Sequence, residues 1–270
     1  MAHRPDEDPR EAFVLEADFE ATEGTWHSHR RAQLVHAGDG VIVVTTRGTT
    51  RGTRDGRWVA PPQRAVWIPA GVEHRVASKR RYTLLSLYVE PGFVPLPSEP
   101  RVVAVDTLVE ELLRAAAKHR RDAPSGGPED RLVRVILDRL PALETAPLFH
   151  LPDAKSPELR KITQALAKDP SDARTLSELA REMGASARTA ARKFLAETGL
   201  TFGQWRTQLR LFAALERLAA GSSVTAVAFE VGYTDVSSFI AAFKAATGET
   251  PARYFGDVSA AAASPRRRRG

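Results

Sequence analysis

The sequence predicts an α+β, multidomain chain with a β-rich N-terminal domain, a helical connecting segment and an all-α C-terminal domain. Three observations predict it. Short runs rich in Val, Thr, Ile and Trp alternate with Gly- and Pro-containing turns through residues 11–95. Pro-dense stretches at 91–100 and 147–157 flank a segment with apolar helical stripes. The C-terminal part then carries one segment twice, at 176–199 and 224–248. Ala180 and Gly184 recur 48 positions on as Ala228 and Gly232, and Phe194 and Gly199 recur 49 positions on as Phe243 and Gly248. A short repeat made of a helix, a Gly turn and a second helix reads as a pair of helix-turn-helix units.

In chain order, strands are expected at 32–36, 40–46, 57–60, 65–68, 74–77 and 83–89, spaced as in a sandwich or small barrel. PGFVPLPSEP (91–100) is expected to close this domain, which spans 11–95. Helices follow at 107–119 and 130–140, split by the loop DAPSGGP. In the first, Leu108, Leu112 and Ala115 share a face, with Val109, Leu113 and Ala116 beside it. In the second, Leu132, Val133, Ile136, Leu137 and Leu140 fall together. The segment 96–154 serves either as a dimer surface or as packing against its own domains. Further helices are expected at 158–168, 176–183, 187–198, 202–218, 224–231 and 236–247, with a last turn at 251–255. The all-α domain therefore spans 155–257, and 258–270 is a disordered basic tail.

Composition narrows the function classes. The chain has no Cys, which excludes disulfides and thiolate metal ligands. It has neither an apolar run long enough for a membrane span nor a secretory leader, so a cytoplasmic protein with no membrane partner is expected. The net charge is +6, but Arg266–Arg269 supply four of those charges. Residues 155–257 hold 14 Lys/Arg against 11 Asp/Glu, a net of +3. A case for nucleic acid must therefore come from particular side chains.

Those side chains lie on the second helix of each repeat. In the first unit, Thr175 and Glu178 form a capping box, Leu176, Leu179 and Met183 are apolar, and Gly184 suits a turn of positive φ. Ser186 caps the second helix, with Ala190, Ala191 and Phe194 pointing inward. Arg188, Thr189, Arg192 and Lys193 are left facing outward near its N-terminal half, the part that enters the major groove. Arg can grip guanine O6 and N7, and Thr a phosphate or a thymine methyl. In the second unit Val224, Val227, Ala228, Val231 and Tyr233 are apolar, Thr234 or Asp235 is the cap, and Phe239 and Phe243 are anchors. Its outer face is Ser237, Ser238, Ala241 and Lys244, suited to phosphate contacts, with Lys244 foremost. Between the units, Trp205, Leu209, Phe212, Leu215 and Leu218 stripe one long helix that would hold the two readers about one DNA turn, roughly 34 Å, apart.

The elements SARTAARKF, GQWR, LRL, VGYTDVSSFIAAFK and TPARYF, in this order, resemble the C-terminal domain of AraC/XylS-family transcription regulators over residues 158–256. The resemblance implies sequence-specific binding to double-stranded promoter DNA and recruitment of RNA polymerase. Ala190–Ala191 departs from the bulkier apolar pair usual there.

A second constellation lies in the β domain: His27, His29 and Gln33, then Pro69, Gly71 and His74. It is similar to the two signature segments of cupins, over about residues 20–92. The resemblance implies a cupin-like β-barrel that precedes the reader and holds a small-molecule effector. Carried over by position, His27, His29 and His74 would ligate a divalent metal (Zn, Fe, Ni or Mn), with Gln33 in place of the carboxylate. In the metal-free alternative they line an organic effector pocket, with Trp67 and Trp26 as aromatic walls; Trp67 also suits plain core. The expected function is an effector-responsive transcription regulator, as a monomer or homodimer. The competing expectation is a metal-dependent cupin oxygenase or isomerase with an accessory DNA-binding domain.

Overall fold

The computed structural model describes residues 5–47, 56–118, 126–145, 150–182, 184 and 186–255. The chain divides into two compact units, Met1–Pro152 and Asp153–Gly270. The tail 258–270, Met183 and most of the DAPSGGP loop lie outside the described residues.

In the first unit the strands are β1 (Ala12–Phe19), β2 (Ala32–Asp39), β3 (Ile42–Arg47), β4 (Gly56–Ala60), β5 (Arg64–Ile68), β6 (Glu73–Ala77), β7 (Tyr82–Val89), β8 (Arg101–Ala104) and β9 (His150–Pro152). They form two antiparallel sheets, ordered β1-β7-β2-β5-β8 and β6-β3-β4-β9. Helices α1 (Thr107–Ala117) and α2 (Pro128–Arg139) cover one face of the larger sheet. Leu34, Trp67, Leu85, Leu87 and Val103 meet Val109, Leu113, Ala116, Ile136 and Leu137 in one core. Each fully buried Leu, Ile or Val there stabilises by about 1.5–3 kcal/mol. Strand β2 reads AQLVHAGD without alternation because both its faces are covered, and only Asp39 is exposed.

The Pro-dense segment does not end the sheet. Beyond it β8 pairs with β5, and β9, inside the expected second linker, pairs with β4. Both are short edge strands, whose stability comes from the partner more than from their own pattern. On α1 the buried set is Val109, Leu113 and Ala116, whereas Leu108 stays 52% exposed. The side chain of Asp106 accepts the Val109 N–H at 2.8 Å and starts that helix.

The second unit holds α3 (Pro157–Lys168), α4 (Leu176–Glu182), α5 (Ala187–Thr198), α6 (Phe202–Ala219), α7 (Val224–Glu230) and α8 (Val236–Thr247), then a helical turn at 251–255. Helix α6 is the spine. It begins with a capping box between Thr201 and Gln204. Its expected stripe of Trp205, Leu209, Phe212, Leu215 and Leu218 is buried, joined by Gln208, Leu211 and Ala214. The stripe is wide because a helix pair packs on each side: Phe194 of α5 meets Trp205 at 5.8 Å, and α7 packs against α6. Arg210 of α6 donates to the Pro170 carbonyl at 3.1 Å and lies over the Tyr233 ring at 5.7 Å. It thereby touches the segment leading into α4 and the turn leading into α8.

Candidate nucleic-acid interface and candidate ligand site

The repeat seen in sequence is a repeat of atomic detail. Thr175 and Glu178 close their capping box before α4, and Ser223 caps α7. The turns pass through Gly184 at φ +71° and Gly232 at φ +91°, where a Cβ would be strained. At Gly232 a Cβ would also lie 2.7 Å from Arg210 Nη2 and 2.8 Å from the Ser171 Cα. Ser186 accepts from Thr189 N at 3.2 Å to cap α5, and Asp235 accepts from Ser238 N at 2.7 Å to cap α8. Phe194 and Phe243 are fully buried anchors. Thr198 and Thr247 each donate back to that Phe carbonyl, at 2.7 and 2.9 Å, a correspondence the sequence reading missed although both sit one residue before the terminal Gly.

The outward residues are where the pattern puts them: Arg188, Thr189, Arg192 and Lys193 on α5, and Ser237, Ser238, Ala241 and Lys244 on α8, are all exposed. Arg188, Arg192 and Lys244 have no side-chain partner among the described residues. Lys193 differs, for its Nζ lies 3.2 Å from Glu158 of α3. Hydroxyls are also engaged: Ser186 donates to Thr189 Oγ1 at 2.9 Å and Ser238 to Asp235 at 2.7 Å. Ala191 is exposed, contrary to its expected inward position, because the buried stripe of α5 runs through Ala190, Phe194 and Thr198.

In the first unit, the loop between β1 and β2 brings His27 and His29 to His74 on β6. His27 and His74 exchange backbone hydrogen bonds of 2.9 and 2.8 Å. The three rings bring one nitrogen each to within 4.8 Å of one another. In every ring Nδ1 faces a backbone carbonyl: Thr25 at 2.9 Å from His27, Arg31 at 2.6 Å from His29, and Val72 at 2.9 Å from His74. A carbonyl only accepts, so in His27 and His74 Nδ1 carries the proton and Nε2 keeps its lone pair, whereas His29 faces an accepting oxygen on each nitrogen. Gln33 completes the set. Its Nε2 donates to Ser86 Oγ at 3.0 Å and Tyr88 OH at 3.1 Å, which turns Oε1 to within 3.1 Å of His29 Nε2. His74 Nε2 is buried without a hydrogen-bond partner among the described residues. Burial is the main cause that pushes the His74 pKa down to about 3 and lowers that of His29. Both imidazoles are therefore neutral at physiological pH, the form that binds metals.

Trp67 is a correction. Gln33 pairs with Ile68 while Leu34 pairs with Trp67, so alternation turns Trp67 away from the histidines. It is 1% exposed within the core under α1 and α2, and its indole N–H donates to the Pro97 carbonyl at 2.9 Å. Trp26 lies beside His27 in sequence, and its ring is covered by Arg47 at 3.7 Å and Arg75 at 5.2 Å.

Paired helix-turn-helix readers in one unit and a two-sheet ligand-binding domain in the other define a DNA-binding transcription regulator. Comparison with known proteins agrees. Residues 179–257 match the model of a helix-turn-helix domain, and residues 13–126 match that of an AraC-like ligand binding domain. The chain is 35% identical over 243 residues to the HTH-type transcriptional regulator NimR of Escherichia coli, covering 90% of this chain and 86% of that one. The regulator RipA of Corynebacterium glutamicum is 37% identical over 123 residues, 46% of this chain and 35% of its own. Among solved structures, ToxT of Vibrio cholerae aligns with 92% of this chain and 98% of its own at 10% identity and a TM-score of 0.38. The chain belongs to the AraC family of helix-turn-helix transcriptional regulators.

Proposed function

We propose that this regulator responds to a small-molecule effector held at the His27, His29, His74 and Gln33 site, and that a divalent transition metal is part of that site. The observation that carries the reading is the convergence of imidazole nitrogens. One nitrogen from each of three rings lies within 4.8 Å of the others, and the Gln33 amide oxygen stands 3.1 Å from His29 Nε2. Such a set fits a cation, and three imidazoles suit Zn, Fe or Ni. The backbone carbonyls on Nδ1 are the outer-shell partners that orient ligating histidines. When bound, the metal would supply open coordination positions for an effector oxygen or nitrogen. His27, His29 and His74 would hold it, and the hydrogen bonds of Gln33 to Ser86 and Tyr88 keep the amide oxygen turned inward.

On the DNA side, Arg188, Thr189 and Arg192 read base edges and phosphates, and Ser237, Ser238, Ala241 and Lys244 follow the backbone, with Ser186 and Asp235 holding the helix tips. Exposed Leu108 on α1 and Val135 on α2 are apolar positions a homodimer would cover. RNA polymerase is the further partner at the promoter, and the cytoplasm is the compartment this work requires.

Selection of bound sites from random duplexes, with and without Zn²⁺, tests the whole reading. We expect an enriched, bipartite site and calorimetric binding of one Zn²⁺ that His74→Ala abolishes. No enriched site would overturn the DNA assignment. Oxygen uptake by the Fe²⁺-loaded protein would overturn the sensor assignment in favour of an enzyme.

A further inference from the structure

Strand register gathers three polar side chains beside the histidines. On β7, Leu85 and Leu87 belong to the helix-covered core, so alternation turns Ser86 and Tyr88 to the other face. Gln33 of β2 pairs directly with Tyr88, and Val35 with Ser86. Gln33 and Ser86 are buried. The Tyr88 ring stands edge-on to His29, with centroids 5.4 Å apart, and stacks on Phe13 at 5.3 Å. Gln33 gives its amide protons to Ser86 Oγ and Tyr88 OH, and Ser86 also hydrogen-bonds to the Tyr88 hydroxyl. The Tyr88 oxygen is thus an acceptor, and among the described residues no acceptor takes its own proton. A hydroxyl so placed is a donor for whatever the site holds.

The second observation is charge. Three imidazoles and one amide make up the set, none of which carries a negative charge, and no carboxylate of the described residues joins the cluster. The acids that flank the loop are engaged with its backbone and its arginines. Asp6 accepts the Arg30 N–H through both oxygens, at 3.0 Å each. Glu90 pairs with Arg30 and, at 3.1 Å, with Arg31. Cations stand at the exposed side of the site. Arg47 and Arg75 cover Trp26, the neighbour of exposed His27, and reach their own partners Glu73 and Glu23 only at 3.9 Å. A divalent ion held between His27 and the buried His29 and His74 would keep its full charge, which is costly away from water unless an anion joins it.

We propose that the effector taken here is an organic anion of the carboxylate or phenolate class, which balances the charge that Gln33 leaves open and accepts a hydrogen bond from Tyr88. The inference rests on the reading of His27, His29 and His74 as a metal site. Ion and anion then bind cooperatively, each raising the affinity for the other by the same factor. Tyr88 gives the anion a charge-assisted hydrogen bond, roughly twice as strong as one between neutral groups, and so discriminates among effectors. Arg47 and Arg75 favour the approach of negative charge to the exposed side.

Calorimetry of Zn²⁺ on the full chain, in acetate and in perchlorate at equal ionic strength, tests this. In the wild type acetate should tighten Zn²⁺ binding about tenfold relative to perchlorate, which coordinates poorly. Gln33→Glu builds a carboxylate into the site, and the Ser86 and Tyr88 hydroxyls can turn to donate to it. This variant should bind Zn²⁺ about tenfold more tightly than the wild type in perchlorate and gain no more than about twofold from acetate. Tyr88→Phe should lose most of the acetate effect, read as the ratio of Zn²⁺ affinities in the two salts. Zn²⁺ binding that is indifferent to acetate in the wild type overturns the anion. An undiminished acetate effect in Gln33→Glu overturns charge balance as its cause, and an undiminished one in Tyr88→Phe overturns the donor. Absence of Zn²⁺ binding in both salts overturns the reading of the site, and this inference with it.

Discussion

Arg188 and Arg192 are exposed on α5 with no side-chain partner among the described residues, while Lys193, one position further, is tied to Glu158. That difference separates three side chains which the sequence presents as equivalent, because the partner lies 35 residues away on α3. Arg188→Ala or Arg192→Ala should cost about 1–3 kcal/mol of operator binding and relax preference at one base position. Lys244→Ala should weaken binding across sequences and reduce the salt slope by about one. Titration of mapped-site and scrambled duplexes at several salt concentrations checks both, and wild-type behaviour in all three variants would remove these faces from the interface. Histidine burial has its own signature. His36, His29 and His74 are each held below the ordinary imidazole pKa, chiefly by burial. In the unfolded chain they take up protons near pH 6.5, and in the folded chain they do not. The unfolded state therefore binds more protons below that pH. Stability should fall as pH drops below about 6.5, by up to about 1.4 kcal/mol per pH unit for each histidine. His36 lies in the larger sheet with its Nδ1 donated to the Arg64 carbonyl at 3.0 Å. His36→Leu should flatten the dependence, as urea unfolding at pH 7 and pH 5 would report.

The elements of the reader were legible in the sequence for a physical reason: each announces itself by local chemistry. Ser186, Asp235, Gly199 and Gly248 start and stop α5 and α8 through bonds that reach no further than four residues. The β unit was legible only in part. AFVLEADF in β1 is buried for its first three residues and mostly exposed after them, so no alternation marks it. β8 and β9 are too short to carry a pattern and exist because β5 and β4 offer them a free edge. The join between the two helix-turn-helix units depends on Gly232 lying against Arg210 and Ser171, a long-range contact beyond any window. Gly232→Ala combines an unfavourable φ with a clash against backbone, and should destabilise the second unit by about 1–3 kcal/mol. Arg210→Ala should cost less stability yet loosen the spacing between half-sites. Binding to duplexes with one base pair inserted between them measures that tolerance, and an unaltered preference for the native spacing would count against the role given to Arg210.

At the scale of the molecule, motif order conveyed two roles on one chain, and the coordinates add how each is built. The histidine cluster was legible through its resemblance to the two cupin signature segments, two of the histidines sitting on one loop and the third following a Pro-x-Gly turn. What spacing could not convey is that all three Nδ1 atoms face carbonyls, because those bonds appear only once the loop has closed on β6. Nor could it tell that Trp67 belongs to the helix-covered face, since strand register decides that. One asymmetry bears on the promoter itself. Helix α5 offers two exposed arginines behind a neutral serine cap, whereas α8 offers one exposed lysine behind an aspartate. A chain with two unlike fingertips has a head and a tail. On the proposed reading of these faces its target has a sense, like a word that cannot be spelled backwards, and inverting that target is expected to turn the bound protein round.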